Sequence, residues 1–306
     1  MISFILRRLL ALVPVGLGVV AIVSLLILTV PGDPADQILG PYATLEEKNE
    51  LRENMGLNDP IHMQVLNYYK QILSGSLGTS LIYRKPVTAL IAERIQPTVE
   101  LAVVSLIIAI LISIPLGLLS AIYAGKAIDY GAMGFALMGV AIPNFWLGPM
   151  LVLLFSIELG WLPVSERVSW ASYVLPSLTL GTALAAALSR MTRNSMLDNM
   201  KEDYVRTAKA KGNTNLVIIG KHVLRNASIP LVTVVGLQFG VLLTGAIITE
   251  RIFDWPGLGT LILDGINNRD YPLVQGCVLV FSASYLMVNL ITDISYAFID
   301  PRIKPQ

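Results

Sequence analysis

The sequence is poor in cysteine, histidine and charge, and each shortage excludes a class of protein. Its 306 residues include one cysteine, Cys277, which excludes an internal disulfide, a CxxC redox pair and a metal cluster built from cysteine. The two histidines, His62 and His222, are too few for a histidine-rich metal site. Charged residues make up only 14% of the chain, whereas a soluble domain carries about 25%. An ordinary soluble protein is therefore not expected.

A phosphate-binding loop is missing as well. The pattern G-x-x-x-x-G-K-[ST] does not occur, and Gly125-Lys126-Ala127 lacks both the upstream glycine and the hydroxyl group. Ser74-Gly75-Ser76 has no histidine in a supporting context, so it is interpreted as a turn and not as a hydrolase nucleophile. The net charge of +1 gives no indication of nucleic-acid binding. We therefore expect a chain that is not an enzyme and binds no cofactor or metal itself.

What the sequence has in abundance is long apolar runs. Apolar residues are 54% of the chain, and six runs approach or exceed the roughly 20 residues that a helix needs to cross a bilayer. This pattern predicts an all-α, polytopic membrane protein with six transmembrane helices. The predicted spans are 10–30, 98–124, 130–157, 172–189, 230–250 and 272–298.

The distribution of basic residues predicts the orientation of these spans. Arg7 and Arg8 precede the first run, which is too long for a cleaved signal peptide and is followed by Pro31 and Gly32 instead of a cleavage site. With the N-terminus in the cytoplasm, Lys126 and the basic residues of 190–225 also face the cytoplasm, as the positive-inside rule requires. Both termini are therefore predicted to be cytoplasmic.

The long loop 31–97 is predicted to form an external subdomain between the first two spans. Residues 44–47 carry a capping-box pattern that starts a helix, which Gly56 would end. Pro60 opens a second helix, which Gly75 would end, and 86–95 is predicted as a helix that lies on the outer membrane interface or on the spans. The subdomain is either a packing cap or a contact surface for an extracytoplasmic partner.

The segment 203–230 is strongly basic and partly amphipathic, and it separates two apolar runs. An apolar stripe predicts a helix that ends at Gly212, because glycine adopts the left-handed conformation readily. Four apolar residues, 216–219, then follow at a turn where a solvated loop should carry few of them. We predict a short helix, 216–222, that exposes them for docking, with Pro230 opening the fifth span. The alternative is packing under the chain's own helices, with the basic residues on anionic lipid headgroups.

Polar residues inside the predicted spans are candidates for a translocation path. Asn144 follows Pro143, Gln238 lies in the fifth span, and Asn289 and Asp293 share one face of the sixth. Ionisable residues near the ends of spans are interpreted first as interfacial anchors. These are Glu100, Glu158, Arg190, Glu250 and Asp293.

Several motifs, taken together, resemble one family along nearly the whole chain. Arg206-Thr207-Ala208 precedes Gly212, and His222, Leu224-Arg225-Asn226-Ala227 and Ile229-Pro230 follow. This pattern resembles the cytoplasmic "EAA" loop of bacterial ABC importer permeases, in the variant of the dipeptide, oligopeptide and nickel branch. Further motifs similar to that branch are Pro31-Gly32-Asp33-Pro34, Ile142-Pro143-Asn144-Phe145, Phe253-Asp254-Trp255-Pro256-Gly257 and Asp300-Pro301-Arg302. Glu158-Leu159-Gly160-Trp161-Leu162-Pro163 resembles the glutathione and dipeptide members.

The resemblance implies a type I ABC importer permease in the bacterial inner membrane. It implies a second homologous permease as heterodimer partner, two cytoplasmic subunits that bind ATP and Mg²⁺, and an external solute-binding protein. It places the ATPase-docking site at Arg206, Thr207, Ala208, Gly212, Leu216, Val217, Ile218, Ile219 and His222.

The predicted domains follow from these assignments. They are the first span with the N-terminus, 1–30; the external subdomain, 31–97; the permease core, 98–298, with its coupling loop 190–229; and the tail, 299–306. The predicted substrate is a dipeptide, an oligopeptide or glutathione. The alternatives are a nickel or metal-chelate permease of the same family and a secondary transporter driven by an ion gradient; an intramembrane hydrolase would lack its nucleophile and base.

Overall fold

The computed structural model describes residues 2–29, 34–40, 42–54, 56–165 and 167–299. Within these ranges the regular elements are helices, and one isolated bridge between Thr79 and Pro86 is the only β pairing. The all-α prediction is therefore confirmed. The helices are α1 (Ile2–Thr29), α2 (Pro34–Leu39), α3 (Leu45–Asn54), α4 (Ile61–Leu73), α5 (Val87–Ile122), α6 (Ala127–Ala141), α7 (Asn144–Val152), α8 (Val174–Asn199), α9 (Asp203–Ala210), α10 (Asn215–Val217), α11 (Leu224–Ile252), α12 (Leu258–Asn267) and α13 (Tyr271–Ile299). Two π-helical turns, Leu153–Glu158 and Ile218–Val223, and a 3₁₀ turn, Trp170–Tyr173, complete the set.

The apolar helices coincide with the predicted spans. By length and composition, three of the described helices can cross a membrane, and each of two bent pairs adds one more if it crosses as a unit. Leu9–Leu25 is a shorter apolar helix within the first predicted span. The three long helices are Val87–Ile122, Trp170–Asn199 and Tyr271–Thr292, and the bent pairs are Ala127–Ala141 with Asn144–Glu158 and Asn215–Ser228 with Pro230–Leu243.

The third predicted span is broken at Pro143, one of the prolines that interrupt the apolar run 130–157 in the sequence. Helices α6 and α7 meet at 101° around Ile142 and Pro143. Ile142 is extended, with φ −90° and ψ 118°, because a residue that precedes proline avoids the helical region. Pro143 has no N–H to continue the ladder of α6, and it instead serves as the N-cap of α7. The run 130–157 is therefore a bent pair of helices and not one straight helix.

The predicted separation between an interfacial helix and the second span is also absent. Residues 86–95 and 98–124 mostly belong to one continuous helix, the 36-residue α5. Pro97 does not end it, because an internal proline removes a single backbone hydrogen bond and the preceding turns are held by packing. Val87, Leu90 and Ile91 in those turns are at most 6% exposed.

One compact unit is formed by the described residues within Met1–Thr98 and Pro256–Met287. Its apolar cluster contains Val20 and Val23 of α1 and Tyr68 of α4. The predicted capping box is confirmed, since Thr44 and Glu47 exchange hydrogen bonds of 2.8 and 3.3 Å. Gly56 and Gly75 follow helices α3 and α4 with φ of 65° and 81°, as predicted. The carboxylate of Asp270 accepts hydrogen bonds from the Ser80 hydroxyl and from the backbone N–H groups of Ile82 and Leu273.

The second unit contains the described residues within Val99–Trp255 and Val288–Pro305. Helix α8 lies at its centre and packs against α6, α7 and α11. Small residues allow close approach of the backbones, as is usual between membrane helices. A Cβ atom on Gly181 would lie 2.8 Å from the carbonyl oxygen of Ser105, and one on Gly117 would lie 2.7 Å from that of Ser189. Any side chain larger than hydrogen at these two positions would force α5 away from α8.

Candidate functional site

The basic segment 203–230 folds into two short helices joined by a glycine turn. Helix α9 ends at Ala210, and Gly212 follows with φ 78°, which confirms the predicted left-handed position. The N–H groups of Gly212 and Asn213 donate to the carbonyls of Lys209 and Ala208 at 2.9 and 3.3 Å, so the last turn of α9 is satisfied. The chain then continues through α10 and the π turn Ile218–Val223 into α11 without a further break in the helix.

Both halves of the segment cover one small apolar core, which we call the hub. The apolar stripe predicted on one helix ending at Gly212 is divided between two helices, since α8 ends at Asn199 and α9 begins at Asp203. Met196 of α8 and Val205 and Ala208 of α9 are each at most 6% exposed in the hub. Leu197, Met200 and Tyr204 pack against the hub from its edge. The buried residues of the hub are Ala121, Met196, Val205, Ala208, Ile218, Val223 and Ala227, so it joins the end of α5 to α8, α9, the π turn and α11.

Polar contacts fix the same helices beside the hub. The Ser195 hydroxyl donates to the carbonyl of Ala227 at 2.9 Å, which ties α8 to α11. The Asn199 amide donates to the carbonyl of Ser195 at 2.9 Å, and the Tyr204 hydroxyl donates to the Asn199 side-chain oxygen at 3.1 Å. Three helices are therefore held in one arrangement by packing and by hydrogen bonds together.

The outer face of the segment carries an apolar tip, Leu216 and Val217. Leu216 is 86% exposed and Val217 is 41% exposed. Arg206 and Thr207 are also exposed, and the neighbouring exposed cations are Lys209, Lys211, Lys221 and Arg225. Arg206 pairs with Asp203 at 3.3 Å, but both side chains are largely exposed and such pairs contribute little to stability.

The prediction that four consecutive apolar residues are exposed was wrong for Ile218, which is 2% exposed inside the hub. Ile219 is half-buried against the hub, and His222 is half-buried as well. The predicted docking residue Ala208 is likewise buried, so it supports the surface from below. Pro230 lies inside α11 and does not open a separate helix, although the axis bends by 50° there. The segment therefore has an inner face that holds the fold and an outer face that is available to a partner.

A buried ion pair that the sequence did not reveal supports this region. The carboxylate of Asp129 is 3% exposed and accepts two hydrogen bonds from the Arg193 guanidinium, at 2.8 and 2.7 Å. It also accepts from the Ser120 hydroxyl and, at 2.9 Å, from the backbone N–H of Gly125. The pair joins the end of α5 and the start of α6 to α8, two residues before Ser195. An isolated acid among predicted cytoplasmic cations was the only signal in the sequence.

The translocation-path candidates are dispersed over several elements. Asn144 is the first residue of α7, and Gln238 is half-buried on α11. Asn289 on α13 is half-buried, and its side-chain oxygen has no hydrogen-bond partner among the described residues. The side chain of Asp293 lies outside the part of the chain that the structure describes. Their role in a path stays a prediction.

An apolar cavity of about 360 Å³ lies between α5, α11 and α13. Val103, Val235 and Phe239 contribute to its wall, and neither Gln238 nor Asn289 is among its described lining residues. Within the described ranges, no group of three or more His, Cys, Asp or Glu side chains is arranged to hold a metal ion. The outer face of 203–230, with its exposed apolar tip and basic residues, is therefore the candidate functional site.

We expect Gly212→Val to destabilise the turn between α9 and α10. A β-branched residue at φ 78° costs about 1–3 kcal/mol, and the tip would no longer be held in place beside α9. Retention of the ATPase subunit that the family resemblance implies should fall severalfold, as measured by co-purification. The matched control is Gly131→Val on α6, since Gly131 has no positive φ and no atom within 4 Å of an added Cβ. Equal behaviour of the two variants would contradict the role of the turn.

Comparison with known proteins places the chain in a family. Residues 113–305 match the family model of the binding-protein-dependent transport system inner membrane component, and residues 1–102 match the model of the N-terminal part of such components. The glutathione transport system permease protein GsiC of Salmonella typhi is 44% identical over 304 residues, which cover 99% of each chain. The GsiC protein of Escherichia coli K12 is 42% identical over 304 residues, again covering 99% of each chain.

Solved structures show the same fold at much lower identity. A chain of the MetNI methionine ABC transporter, in an inward-facing conformation, matches with a TM-score of 0.57 at 16% identity, over 69% of this chain and 96% of that chain. A chain of an amino acid ABC transporter matches with a TM-score of 0.55 at 14% identity, over 69% of this chain and 94% of that chain. This chain belongs to the family of binding-protein-dependent transport system inner membrane components, and it is an ABC importer permease of the peptide and nickel branch.

Proposed function

We propose that this chain is one of two permease subunits of an ATP-driven importer for small peptides of the glutathione or dipeptide class. The observation that carries the coupling role is the exposed apolar tip, Leu216 and Val217, on a basic segment fixed to its own hub. Two adjacent exposed apolar side chains flanked by cations at the apex of a turn are typical of a helix that docks into a groove. The tip would insert into a groove of an ATPase subunit.

The hub explains how movement at the tip would reach the spans. Helices α8, α9 and α11 share buried contacts at Met196, Val205 and Ala227, so they move together when the segment is displaced. Closure of the ATPase pair around ATP and Mg²⁺ would displace the segment as a rigid lever. Alternating access then requires two global states that differ in their contacts at this surface. This chain would contribute the lever and no step of hydrolysis.

The remaining partners follow from the family and from the predicted topology. A second homologous permease would supply the other half of the path, and each permease would dock one cytoplasmic ATPase. A solute-binding protein would deliver the peptide to the outer side. The basic residues of the segment 203–230 support a cytoplasmic position for it in a bacterial cell, and both termini would lie on the same side of the inner membrane.

The peptide substrate is supported by the full-length similarity to glutathione permeases and by the 158–163 motif, which resembles the glutathione and dipeptide members. Reconstitution of the purified importer into proteoliposomes, with the binding protein outside and ATP inside, tests the proposal. We expect ATP-dependent uptake of labelled glutathione or dipeptide. Uptake of Ni²⁺ alone would overturn the substrate class, and gradient-driven uptake by this chain without an ATPase would overturn the importer assignment.

A further inference from the structure

A second cluster of polar and aromatic side chains lies outside the basic segment 203–230, on α5 and on the loop before α8. It surrounds a cavity of about 560 Å³, which is within the range of about 300–1,000 Å³ that is usual for small-molecule sites. The first turns of α5 after Pro97 form one wall, and the loop before α8 forms the other. The lining residues are Val99, Glu100, Val103, Val104, Arg167, Val168, Ser169, Trp170 and Tyr173.

Three polar groups on this cavity form a closed triangle. The Arg167 guanidinium lies 2.6 Å from the Glu100 carboxylate and donates a hydrogen bond of 2.8 Å to the Tyr173 hydroxyl. That hydroxyl donates in turn to Glu100 at 2.6 Å. The hydrogen bond to Tyr173 is the main reason that the pKa of Arg167 is raised. Glu100 and Arg167 keep 31% and 33% of their side chains exposed, so a solute in the cavity can reach both.

The triangle is held in place by buried neighbours. The ring of Tyr173 meets the ring of Trp255 edge to face, with centroids 4.7 Å apart, and Trp255 is 1% exposed. Ser169 and Ser172 form a capping box that fixes the 3₁₀ turn carrying Tyr173. Asp254 adopts φ 47° where α11 ends, which brings the N–H of Trp255 to the carbonyl of Glu250 at 2.8 Å. The polar groups therefore sit on a preorganised wall and not on a free loop.

The chemistry of this wall fits a zwitterion. A lone charge near the end of a membrane span is costly, whereas a paired acid and base are neutral together. A molecule with both an ammonium and a carboxylate group can insert between Glu100 and Arg167 and pair with each of them, so that no charge is left unpaired. The guanidinium binds a carboxylate through two parallel hydrogen bonds, and Glu100 can accept from an ammonium group. Val99, Val103 and Trp170 offer apolar surface to side chains beside the charged ends.

We propose that Glu100 and Arg167 form a contact site for the two charged termini of a short peptide, with Glu100 receiving the ammonium end and Arg167 the carboxylate end. This inference rests on the proposed function and specifies which groups of the substrate the permease itself recognises. The site selects peptides whose two termini are free. When it is empty, the acid and the base neutralise each other.

Equilibrium binding to the purified permease–ATPase complex, without the binding protein, tests the site. Labelled Ala-Ala should bind saturably, and Glu100→Gln or Arg167→Gln should each weaken binding about ten-fold to a hundred-fold, the usual effect of losing a charged hydrogen bond. N-acetylated Ala-Ala should bind the wild type weakly, with no further loss in Glu100→Gln. Amidated Ala-Ala should likewise show no further loss in Arg167→Gln. Glu158→Gln, an exposed acid outside the cavity, is the matched control and should leave binding unchanged.

Comparing free with capped peptides distinguishes recognition of the peptide termini by Glu100 and Arg167 from a purely structural role of this ion pair. Equal weakening for free and capped peptides would show that the pair only holds the fold, and absence of saturable binding to the wild type would overturn the site. If Arg167→Gln lowers the yield of folded complex, Arg167→Lys retains the charge and should weaken free Ala-Ala while leaving amidated Ala-Ala unchanged. Because uptake is measured separately in proteoliposomes, importer activity with no effect at Glu100 or Arg167 would reject the site and leave the proposed function standing.

Discussion

Leu216→Asp is expected to release the ATPase subunit that docks on this chain and to abolish ATP-driven uptake while the permease stays folded. Leu216 is 86% exposed, so the fold of the permease does not depend on this side chain. A buried apolar anchor at the centre of an interface contributes about 2 kcal/mol or more, and a carboxylate at that position adds a desolvation cost. Association should therefore weaken by at least about thirty-fold. Co-purification of the ATPase with tagged permease measures this directly.

Two comparisons make that result specific to the tip. Leu73 at the end of α4 is also 86% exposed, so Leu73→Asp makes the same chemical change away from the docking segment and should retain the ATPase. Ile218→Asp places a charge in the hub, where the native side chain is 2% exposed, and should lower the amount of folded permease. Retention of the ATPase by a well-folded Leu216→Asp variant would remove the tip from the interface.

The second large effect is expected from Arg193→Ala, which leaves the buried carboxylate of Asp129 without its counter-ion. Breaking a buried pair by removing one partner typically costs about 3 kcal/mol or more. Two hydrogen bonds from the guanidinium are lost at once, and only Ser120 and Gly125 continue to donate to Asp129. The thermal stability of the detergent-solubilised permease should fall clearly, and its abundance in the membrane should fall with it.

Controls for this ion pair exist within the same region. Arg206→Ala removes an arginine from a pair in which the side chains are 81% and 93% exposed, and such pairs contribute about 0–1 kcal/mol. Its thermal stability should therefore stay close to that of the wild type. Adding Asp129→Asn to Arg193→Ala removes the uncompensated charge and should restore part of the loss. A double variant that is no more stable than Arg193→Ala would assign the effect to lost packing of the arginine stem.

Local signals in the sequence predicted local structure well. The capping box at Thr44 and Glu47, the helix ends at Gly56 and Gly75, and the left-handed Gly212 all depend on residues a few positions apart. Each of these features depends on residues within one turn, so the local sequence contains every residue that determines its conformation. The apolar runs likewise predicted where the long helices lie. The resemblance to the permease family was confirmed along the full length of the chain.

The burial of Ile218 could not be predicted from a helical period of 3.6 residues. In the π turn, Ile218 and Val223 are five residues apart and both face the hub, at 2% and 0% exposure. A π turn adds a residue to each turn, so the residues that follow it are rotated relative to an α-helix. The residues of 216–222 therefore divide differently between core and surface from what an α-helical wheel predicts.

The ion pairs escaped prediction because their members are distant in sequence. Asp129 and Arg193 are separated by 64 positions. Glu100 pairs with Arg167 and lies 73 positions before Tyr173, which is hydrogen-bonded to both. No spacing rule connects such residues; only the packing of α5 and α6 against α8 brings them together. Glu100 was interpreted as an interfacial anchor for this reason, since its partner on the loop before α8 was not visible from the helix on which it lies.

The separation of hub and tip has a consequence for how this permease can change over evolutionary time. Val205 and Ala208 are committed to the interior of their own chain, while Leu216 and Val217 contribute little to it. Substitutions at the tip can therefore follow changes in the groove of an ATPase without a stability cost to the permease, because sites with no shared contacts act nearly independently. Under the proposed docking, the surface that meets the ATPase would be free to change while the hub preserves the fold of the permease.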